Sequence, residues 1–307
     1  MYDLIIIGGG PGGAAAGIYA ARKKIKSLVI AGSEGFGGQS LVSSEIQNWI
    51  GTKSVSGFEL GKMLEEHLRA QEGIEVLEDL TKKIEKISGG FKVAVKTGKV
   101  FETKTVLVAS GSRRQKLNVL GEKEFDGKGV SYCSTCDAPL FKNRTVAVIG
   151  GGNSGLEAVV DLMSYAKKIY LLEHNDKLKG DPVTQEKIKN SGEVEIILKA
   201  NTIEILGNKM VTGLKYEDLN SGETKELKLE GIFVEIGSTP NTEFVEDLVK
   251  TNQYGEIIIN HQTQQTSQEG IWASGDVSDV LYKQNNISAG DAIKAVLNIY
   301  DYLNKNA

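Results

Sequence analysis

Apolar and polar positions recur with two different periods along the chain, and their order sets the elements to expect. Tyr2 to Ile7 is a short apolar run ending in Gly8-Gly9-Gly10-Pro11-Gly12-Gly13, and an alanine-rich segment of strong helix formers continues through Arg22. A second apolar run, Ser27 to Ala31, follows closely enough to be the parallel partner strand of a right-handed crossover. Ser56 and Glu59 have the spacing of a capping box. Behind them Phe58, Leu60, Met63, Leu64 and Leu68 read as one apolar face of a helix that Gly73 stops. From Ile74 to Ser110 the period falls to two, with Phe91, Val93 and Val95 alternating with polar residues before the run Val106-Leu107-Val108.

At Thr145 the opening scheme restarts. Val146 to Ile149 predict a strand, Gly150-Gly151-Gly152-Asn153-Ser154-Gly155 a second glycine turn, Leu156 to Tyr165 a helix and Ile169 to Leu172 the partner strand. Asp181 and Pro182 suit the N-cap and first turn of a further helix, and Asn220-Ser221-Gly222 a hairpin turn between strands around 210–218 and 225–236. A helix from about Ala289 to Leu303 closes the chain. The predicted fold class is α/β with two Rossmann-like dinucleotide-binding domains, and 307 residues exceed the usual size of one compact domain.

Charge and composition narrow the class of partner. A formal net charge of -4 and a pI near 5.6, with both signs interspersed, argue against nucleic acid or an anionic membrane. Met1 and Tyr2 run into the first strand without a basic leader, and no stretch approaches the roughly 18 apolar residues of a membrane span. A soluble cytoplasmic enzyme is expected. Cys133 and Cys136 are the chain's two cysteines, too few for a disulfide-stapled secreted scaffold. The three histidines, His67, His174 and His261, lack ligand spacing, so no metal is expected.

Both glycine turns fit G-x-G-x-x-G, with Gly8, Gly10 and Gly13 in one and Gly150, Gly152 and Gly155 in the other. The first glycine permits the tight turn, the second lets a pyrophosphate approach backbone N–H groups, and the third packs helix against strand. One such motif alone is weak; two, each between a strand and a helix, point to two nucleotide sites. Where an acidic residue would accept ribose hydroxyls, the second unit has Glu173, with Lys177 and Lys179 the nearest basic groups and no arginine between Ala158 and Lys179. A carboxylate there repels a 2′-phosphate, which favours NADH over NADPH. In the first unit that position falls at Ala31-Gly32, with Glu34 slightly beyond.

Cys133-Ser134-Thr135-Cys136 ends twelve residues before Val148, which assigns it to the second unit. Two intervening residues bring the thiols within disulfide reach on one turn, and a helix N-terminus there would lower the thiolate pKa. Asp137 is the nearest proton carrier to a departing thiolate, though an aspartate after a turn is often a cap.

Cys133-Ser134-Thr135-Cys136-Asp137 and the two glycine motifs together resemble the low-molecular-weight thioredoxin reductases, over almost the whole chain. The likeness extends to Gly37-Gly38-Gln39, Glu45-Ile46-Gln47-Asn48-Trp49, Ala109-Ser110-Gly111, Gly275-Asp276 and Lys283-Gln284. Cys136 to Lys142 and Leu171-Leu172-Glu173 look closer to the reductase portion of the NADH-using alkyl hydroperoxide reductase flavoprotein, read here without its amino-terminal thioredoxin-like extension. The resemblance implies a pyridine nucleotide-disulfide oxidoreductase architecture of three-layer ββα domains. FAD would be bound by residues 1–114 and 242–307, and the nicotinamide by residues 115–241. FAD contacts are implied at Gly8, Gly10, Pro11, Gly13, Gly38, Gln39, Asn48, Ser110, Gly111, Gly275, Asp276, Lys283 and Gln284. NADH contacts are implied at Gly150, Gly152, Asn153, Ser154, Gly155, Glu173 and Gly237.

The same resemblance implies a homodimeric disulfide reductase that passes electrons from NADH through FAD to the cysteine pair. Cys136 would face the flavin, Asp137 supply the proton, and Cys133 attack the disulfide of a thioredoxin-like or glutaredoxin-like protein. It also implies rotation of the nicotinamide domain, with hinges near Arg113 to Leu117 and Pro240 to Thr242. Three positions depart from the family's habits: Ser110 replaces its threonine, Ala138 its glycine, and Lys283-Gln284-Asn285 its Arg-Gln-Ala; none removes a reacting group. A dithiol oxidase using oxygen and an inactive nucleotide-binding homologue are the rival readings. The intact second glycine motif argues against the first, and intact Cys133, Cys136 and Asp137 against the second.

Overall fold

The computed structural model describes residues 1–32, 35–43 and 46–305; Glu34 and Glu45 of the sequence motifs lie outside the described residues. The chain forms two compact units, Met1–Arg113 with Thr239–Ala307, and Arg114–Ser238. The first unit opens with β1 (Tyr2–Ile7), α1 (Pro11–Arg22) and β2 (Ser27–Ile30), followed by α2 (Gly57–Arg69), β3 (Ile74–Leu77), β4 (Thr81–Ile87), β5 (Gly90–Val95) and β6 (Val100–Val108). A short strand, β7 (Ser112–Arg114), carries the chain across to the second unit.

The second unit contains β8 (Val130–Ser131), α3 (Ser134–Asp137), β9 (Thr145–Ile149), α4 (Asn153–Met163), β10 (Lys168–Glu173), α5 (Pro182–Asn190) and β11 (Val194–Leu198). It continues through β12 (Ala200–Gly207), β13 (Val211–Asp218), β14 (Glu223–Lys228) and β15 (Gly231–Val234). The chain returns at β16 (Ser238–Pro240), and β17 (Ile271–Ala273) and α6 (Asn285–Lys305) complete the first unit.

Each unit has a parallel sheet between a helical layer and an antiparallel β layer. In the first, strand order is β3-β2-β1-β6-β5-β4, with β17 also on β6. The length of β6 allows two partners on one side: Val100 to Thr103 pair antiparallel with β5, and Val106 to Val108 pair parallel with β17. Leu4, Ile6, Val29 and Leu107 point to a core with α1, α2 and α6, while Ile5, Ile7, Val106 and Val108 pack with Ile84, Phe91 and Val93 of the hairpin. This is the period of two sorting alternate side chains to opposite faces. In the second unit the order is β11-β10-β9-β15-β8, all parallel; Val146, Val148 and Phe233 face α4, and Ala147, Ile149 and Ile232 face the β12-β13-β14 sheet.

Three sequence expectations need correction. The capping box at Ser56 and Glu59 forms, but α2 buries Leu60, Leu64 and Leu68 with Gly57 and Gly61, whereas Phe58 and Met63 are exposed. At 100° per residue Phe58 lies about 200° from Leu60, so it cannot share that face. The apolar stretch 225–236 is two strands: β14 closes the hairpin and β15 enters the parallel sheet between β9 and β8. The last helix begins at Asn285, four residues before the expected Ala289, because polar Asn285, Asn286 and Ser288 carried no apolar period.

Phe233, fully buried and edge-on to Phe141 at 5.0 Å between centroids, anchors the helical side of the second sheet. Phe233→Ala is expected to cost about 3–5 kcal/mol. Urea unfolding followed by circular dichroism checks it, and a wild-type midpoint would contradict this core position.

Candidate active site

The two glycine turns have the same mechanics. Gly8 and Gly150 leave their strands at φ +128° and +115°, in the region that favours glycine. A Cβ on Gly13 would collide with the Gly8 carbonyl, and one on Gly155 with the Gly150 carbonyl, so the third glycine of each motif is demanded by the protein's own backbone. The middle glycines are different: a Cβ on Gly10 or Gly152 would meet no heavy atom within 4 Å. These two residues are the N-caps of α1 and α4, and neither helix has a side-chain cap or an acidic residue in its first turn. Pro11 at the first helical position has no N–H of its own to satisfy. Uncapped N–H groups beneath a side-chain-free approach fit a pyrophosphate at each turn.

In the first unit, several predicted flavin residues gather around the first turn. Gly38, at φ +56°, lies against Gly10, so that a Cβ there would be 3.2 Å from the Gly10 Cα, and the Gly37 N–H donates to the Gly9 carbonyl at 2.9 Å. Gln39 donates its side-chain amide to the Ser112 carbonyl. The Ser110 hydroxyl donates to the Asn241 carbonyl at 2.8 Å, the Asn241 amide returns a bond to the Ser110 carbonyl at 2.9 Å, and the Asn241 N–H reaches the Gly111 carbonyl at 3.0 Å. Asn48 and Gln284 meet through their side-chain amides at 3.2 Å. Gly275, at φ +72°, is pressed against Ser288 of α6, and half-buried Asp276 follows it. The Lys283 ammonium is engaged by the Ser278 and Asp276 carbonyls and by Glu256, 2.9 Å away.

In the second unit, Glu173 ends β10 and is buried. Its carboxylate accepts the Gly151 N–H at 2.6 Å and the Asn175 N–H at 2.7 Å, together with the Asn175 side-chain amide. Burial raises its pKa, but the Asn175 and Gly151 donors and the Lys179 charge outweigh burial, so the carboxyl lies below its ordinary range. Three donors leave one of the carboxylate's roughly four acceptor positions for a ribose hydroxyl. The Asn153 side-chain oxygen accepts the Asp181 N–H at 2.8 Å and ties the 180–181 loop to the turn; exposed Ser154 follows. Exposed Gly237, at φ +105°, accepts the Gln115 N–H at 3.0 Å.

Cys133 and Cys136 are joined by a disulfide, with Cα atoms 5.4 Å apart, and both are partly exposed. Cys133 caps the one-turn helix α3, which places the pair on a tight turn where Pro139 and the following 3₁₀ segment stop the helix. Asp137 donates its N–H to the Cys133 carbonyl at 3.1 Å, and its carboxylate accepts the Ser131 hydroxyl at 2.7 Å. That hydroxyl also receives the Cys133 N–H at 3.2 Å, so Ser131 bridges the first cysteine and the aspartate.

Two residues that sequence reasoning missed complete this turn, Ser131 and Asp161, and a third, Glu235, is a buried charge of the same unit. Asp161 of α4 accepts the hydroxyls of Ser134 at 2.9 Å and Thr135 at 3.4 Å. Glu235, directly after β15, is buried and has the Arg114 guanidinium 3.5 Å away. A signal for Glu235 was present in the sequence, since it is a charge inside the apolar run Ile232 to Ile236. Asp161 had none, being an ordinary polar residue on a helix.

Comparisons with known proteins give the family and the fold. The chain is 42% identical over 306 residues to a protein of Bacillus subtilis named NADH dehydrogenase, covering 99% of this chain and 59% of that one. It is 41% identical to a protein of a Staphylococcus epidermidis strain named as a component of alkyl hydroperoxide reductase, with 99% and 60% covered. The chain thus spans about 60% of the length of these curated relatives. Among solved structures, thioredoxin reductase from Streptococcus pyogenes superposes with a TM-score of 0.89 at 32% identity, covering 99% of each chain. Two glycine turns, a disulfide on the second unit and a match over residues 2–293 to the pyridine nucleotide-disulphide oxidoreductase model lead to one assignment: the chain belongs to that family, with the fold of the thioredoxin reductases.

Proposed function

We propose that this protein is an FAD-dependent disulfide reductase that takes electrons from NADH and delivers them through Cys133 and Cys136 to a thioredoxin-like or glutaredoxin-like protein disulfide. The observation that carries this reading is the disulfide beside a nucleotide turn in one unit, Arg114–Ser238. Likeness to a thioredoxin reductase over the whole chain supports it, as does likeness to relatives named for NADH and for alkyl hydroperoxide reduction. A homodimer, implied by the resemblance to the thioredoxin reductases, working in the cytoplasm is part of the same reading. Among the described residues no helix is long and apolar enough to cross a membrane.

Bound FAD supplies two-electron redox chemistry between nicotinamide and disulfide. The α1 N-terminus at Gly10 and Pro11 takes its pyrophosphate, with Gly8 and Gly13 shaping the turn. Gly38, Gln39, Asn48, Ser110, Gly111, Gly275, Asp276, Lys283 and Gln284 line the rest of its site. Gly150, Gly152, Asn153, Ser154, Gly155 and Gly237 take the nicotinamide nucleotide, and Glu173 accepts a ribose hydroxyl. An ionised carboxylate in that place opposes a second phosphate, so NADH is preferred.

Cys136 is the sulfur that receives electrons, and Asp137 gives the proton that its partner thiolate takes up. Cys133 attacks the incoming disulfide, forming a mixed disulfide that Cys136 resolves. The chain crossings at Arg113/Arg114 and Ser238/Thr239 take up the rotation of the nicotinamide unit.

Three experiments test this reading. Gly10→Ala should fold as the wild type yet hold FAD at least about tenfold more weakly, whereas Gly13→Ala should disrupt the first unit itself; flavin absorbance per chain and circular dichroism separate the two. In anaerobic stopped flow, NADH should bleach the flavin faster than NADPH, and Glu173→Ser should narrow that preference by about 10- to 100-fold. Faster reduction by NADPH in the wild type would overturn the Glu173 argument. Cys136→Ser should keep bleaching by NADH and lose turnover with thioredoxin-like disulfides, while Asp137→Asn slows that turnover about 100-fold. Native disulfide reduction by Cys136→Ser would sink the assignment.

A further inference from the structure

Ser131 is a polar residue where a buried strand calls for an apolar one. It is buried on β8, with Phe233 of β15 as its register partner. Its neighbours Val130 and Tyr132 pack with the β12-β13-β14 layer. Alternation along the strand therefore turns Ser131 to the other face, where Phe233 meets the helices. There its hydroxyl meets the redox turn at the Cys133 N–H, 3.2 Å away, at the Cys133 carbonyl, 3.4 Å away, and at Oδ2 of Asp137, 2.7 Å away. We propose that Ser131 is a positioning residue for the proton donor, its hydroxyl holding Oδ2 of Asp137 so that the proton for a departing thiolate is carried on Oδ1.

The inference rests on the disulfide-reductase reading, with Asp137 as its acid, and adds to it a residue that acts through that acid. A hydroxyl has one hydrogen to give and two lone pairs with which to receive. Because the Cys133 N–H points in as a donor, the hydroxyl hydrogen is free for the nearer of its two acceptors, Oδ2 of Asp137 in preference to the Cys133 carbonyl. A proton on Oδ2 would meet that hydrogen head on and force it onto the stretched carbonyl contact. Oδ1, which is buried, is therefore the oxygen that carries it. The Asp137 N–H donates to the Cys133 carbonyl at 3.1 Å, so the acid is tied to the first cysteine by its backbone as well as through Ser131. The step moves no electrons: one proton passes from Oδ1 to the thiolate sulfur, and the carboxylate recovers one from water before the next cycle.

The test uses the flavin-loaded protein and needs no partner. After anaerobic addition of NADH, equimolar with the flavin, the flavin bleaches and then recolours as the disulfide takes the electrons, and stopped flow reads the recolouring rate. Ser131→Ala should slow recolouring about tenfold. In an Asp137→Asn background the same substitution should change the rate by less than about twofold, because the hydroxyl acts through the carboxyl. Ser131→Thr keeps a hydroxyl and should return the rate to within about twofold of the wild type. Reduction of the pair by dithiothreitol, with thiols alkylated and counted by mass spectrometry, should follow the same pattern with no nicotinamide present. Slowing by the same factor in both backgrounds means that the hydroxyl only supports the Cys133 backbone, and it overturns the inference. A wild-type rate in Ser131→Ala does so as well. Ser131→Gly also removes the hydroxyl and takes the same test should Ser131→Ala fail to fold. An Asp137→Asn protein that recolours at the wild-type rate is a separate result: it removes the acid from the functional reading, and this inference with it.

Discussion

A contact of backbone on backbone governs both halves of the molecule. The third glycine of each motif, Gly13 or Gly155, lies so close to the carbonyl of the first, Gly8 or Gly150, that no side chain fits between helix and strand. That closeness brings the first turn of α1 and of α4 directly over the end of the parallel sheet. Their unpaired N–H groups then face outward at Gly10 and Gly152, where nothing of the protein intrudes. The first and last motif glycines therefore serve the fold, and the middle one, Gly10 or Gly152, leaves open space at the helix start. The helical macrodipole makes that middle position electropositive in both units, although the chain as a whole is acidic.

The redox turn follows a different rule. α3 is a single turn, too short to be stable by itself, and side chains from elsewhere in its unit hold it. Ser131 supports Cys133 and Asp137 from β8, and Asp161 grips Ser134 and Thr135 from α4. The two residues between the cysteines thus do more than set the spacing. Their hydroxyls anchor the turn to α4 through Asp161, independently of the disulfide bond itself.

Much of this could be read from the chain alone. Strand, turn and helix in both nucleotide units were legible because steric demand and hydrophobic period agree there, from Tyr2 to Ile30 and from Thr145 to Glu173. The spacing of Cys133 and Cys136 put the thiols within disulfide reach, and a disulfide joins them. The misreadings occurred where a local pattern had two solutions. Phe58 and Met63 are apolar within a helical window, but their angular positions put them off the face that Leu60, Leu64 and Leu68 bury. The stretch 225–236 is apolar enough for one strand, and only tertiary pairing divides it between an antiparallel and a parallel sheet. Ser131 and Asp161 come from two separate elements, and no sequence period reports that kind of convergence.

The second unit also shows how one residue type takes opposite states in almost the same place. The sheet order puts β9, which leads into the glycine turn, between β10 and β15, and each neighbour runs out at a buried glutamate. Glu173 collects N–H donors from Gly151 and Asn175, and its carboxyl lies low despite burial. Glu235 has, among the described residues, only a guanidinium at 3.5 Å, with two acids on α4 nearby, and burial pushes its carboxyl up to about 7. Burial acts on both in the same direction; the supply of donors decides between them. The glycine turn between the two strands therefore has a carboxylate of each kind on its flanks, one with three hydrogen-bond donors that favour its charged form and one that burial leaves with a single guanidinium.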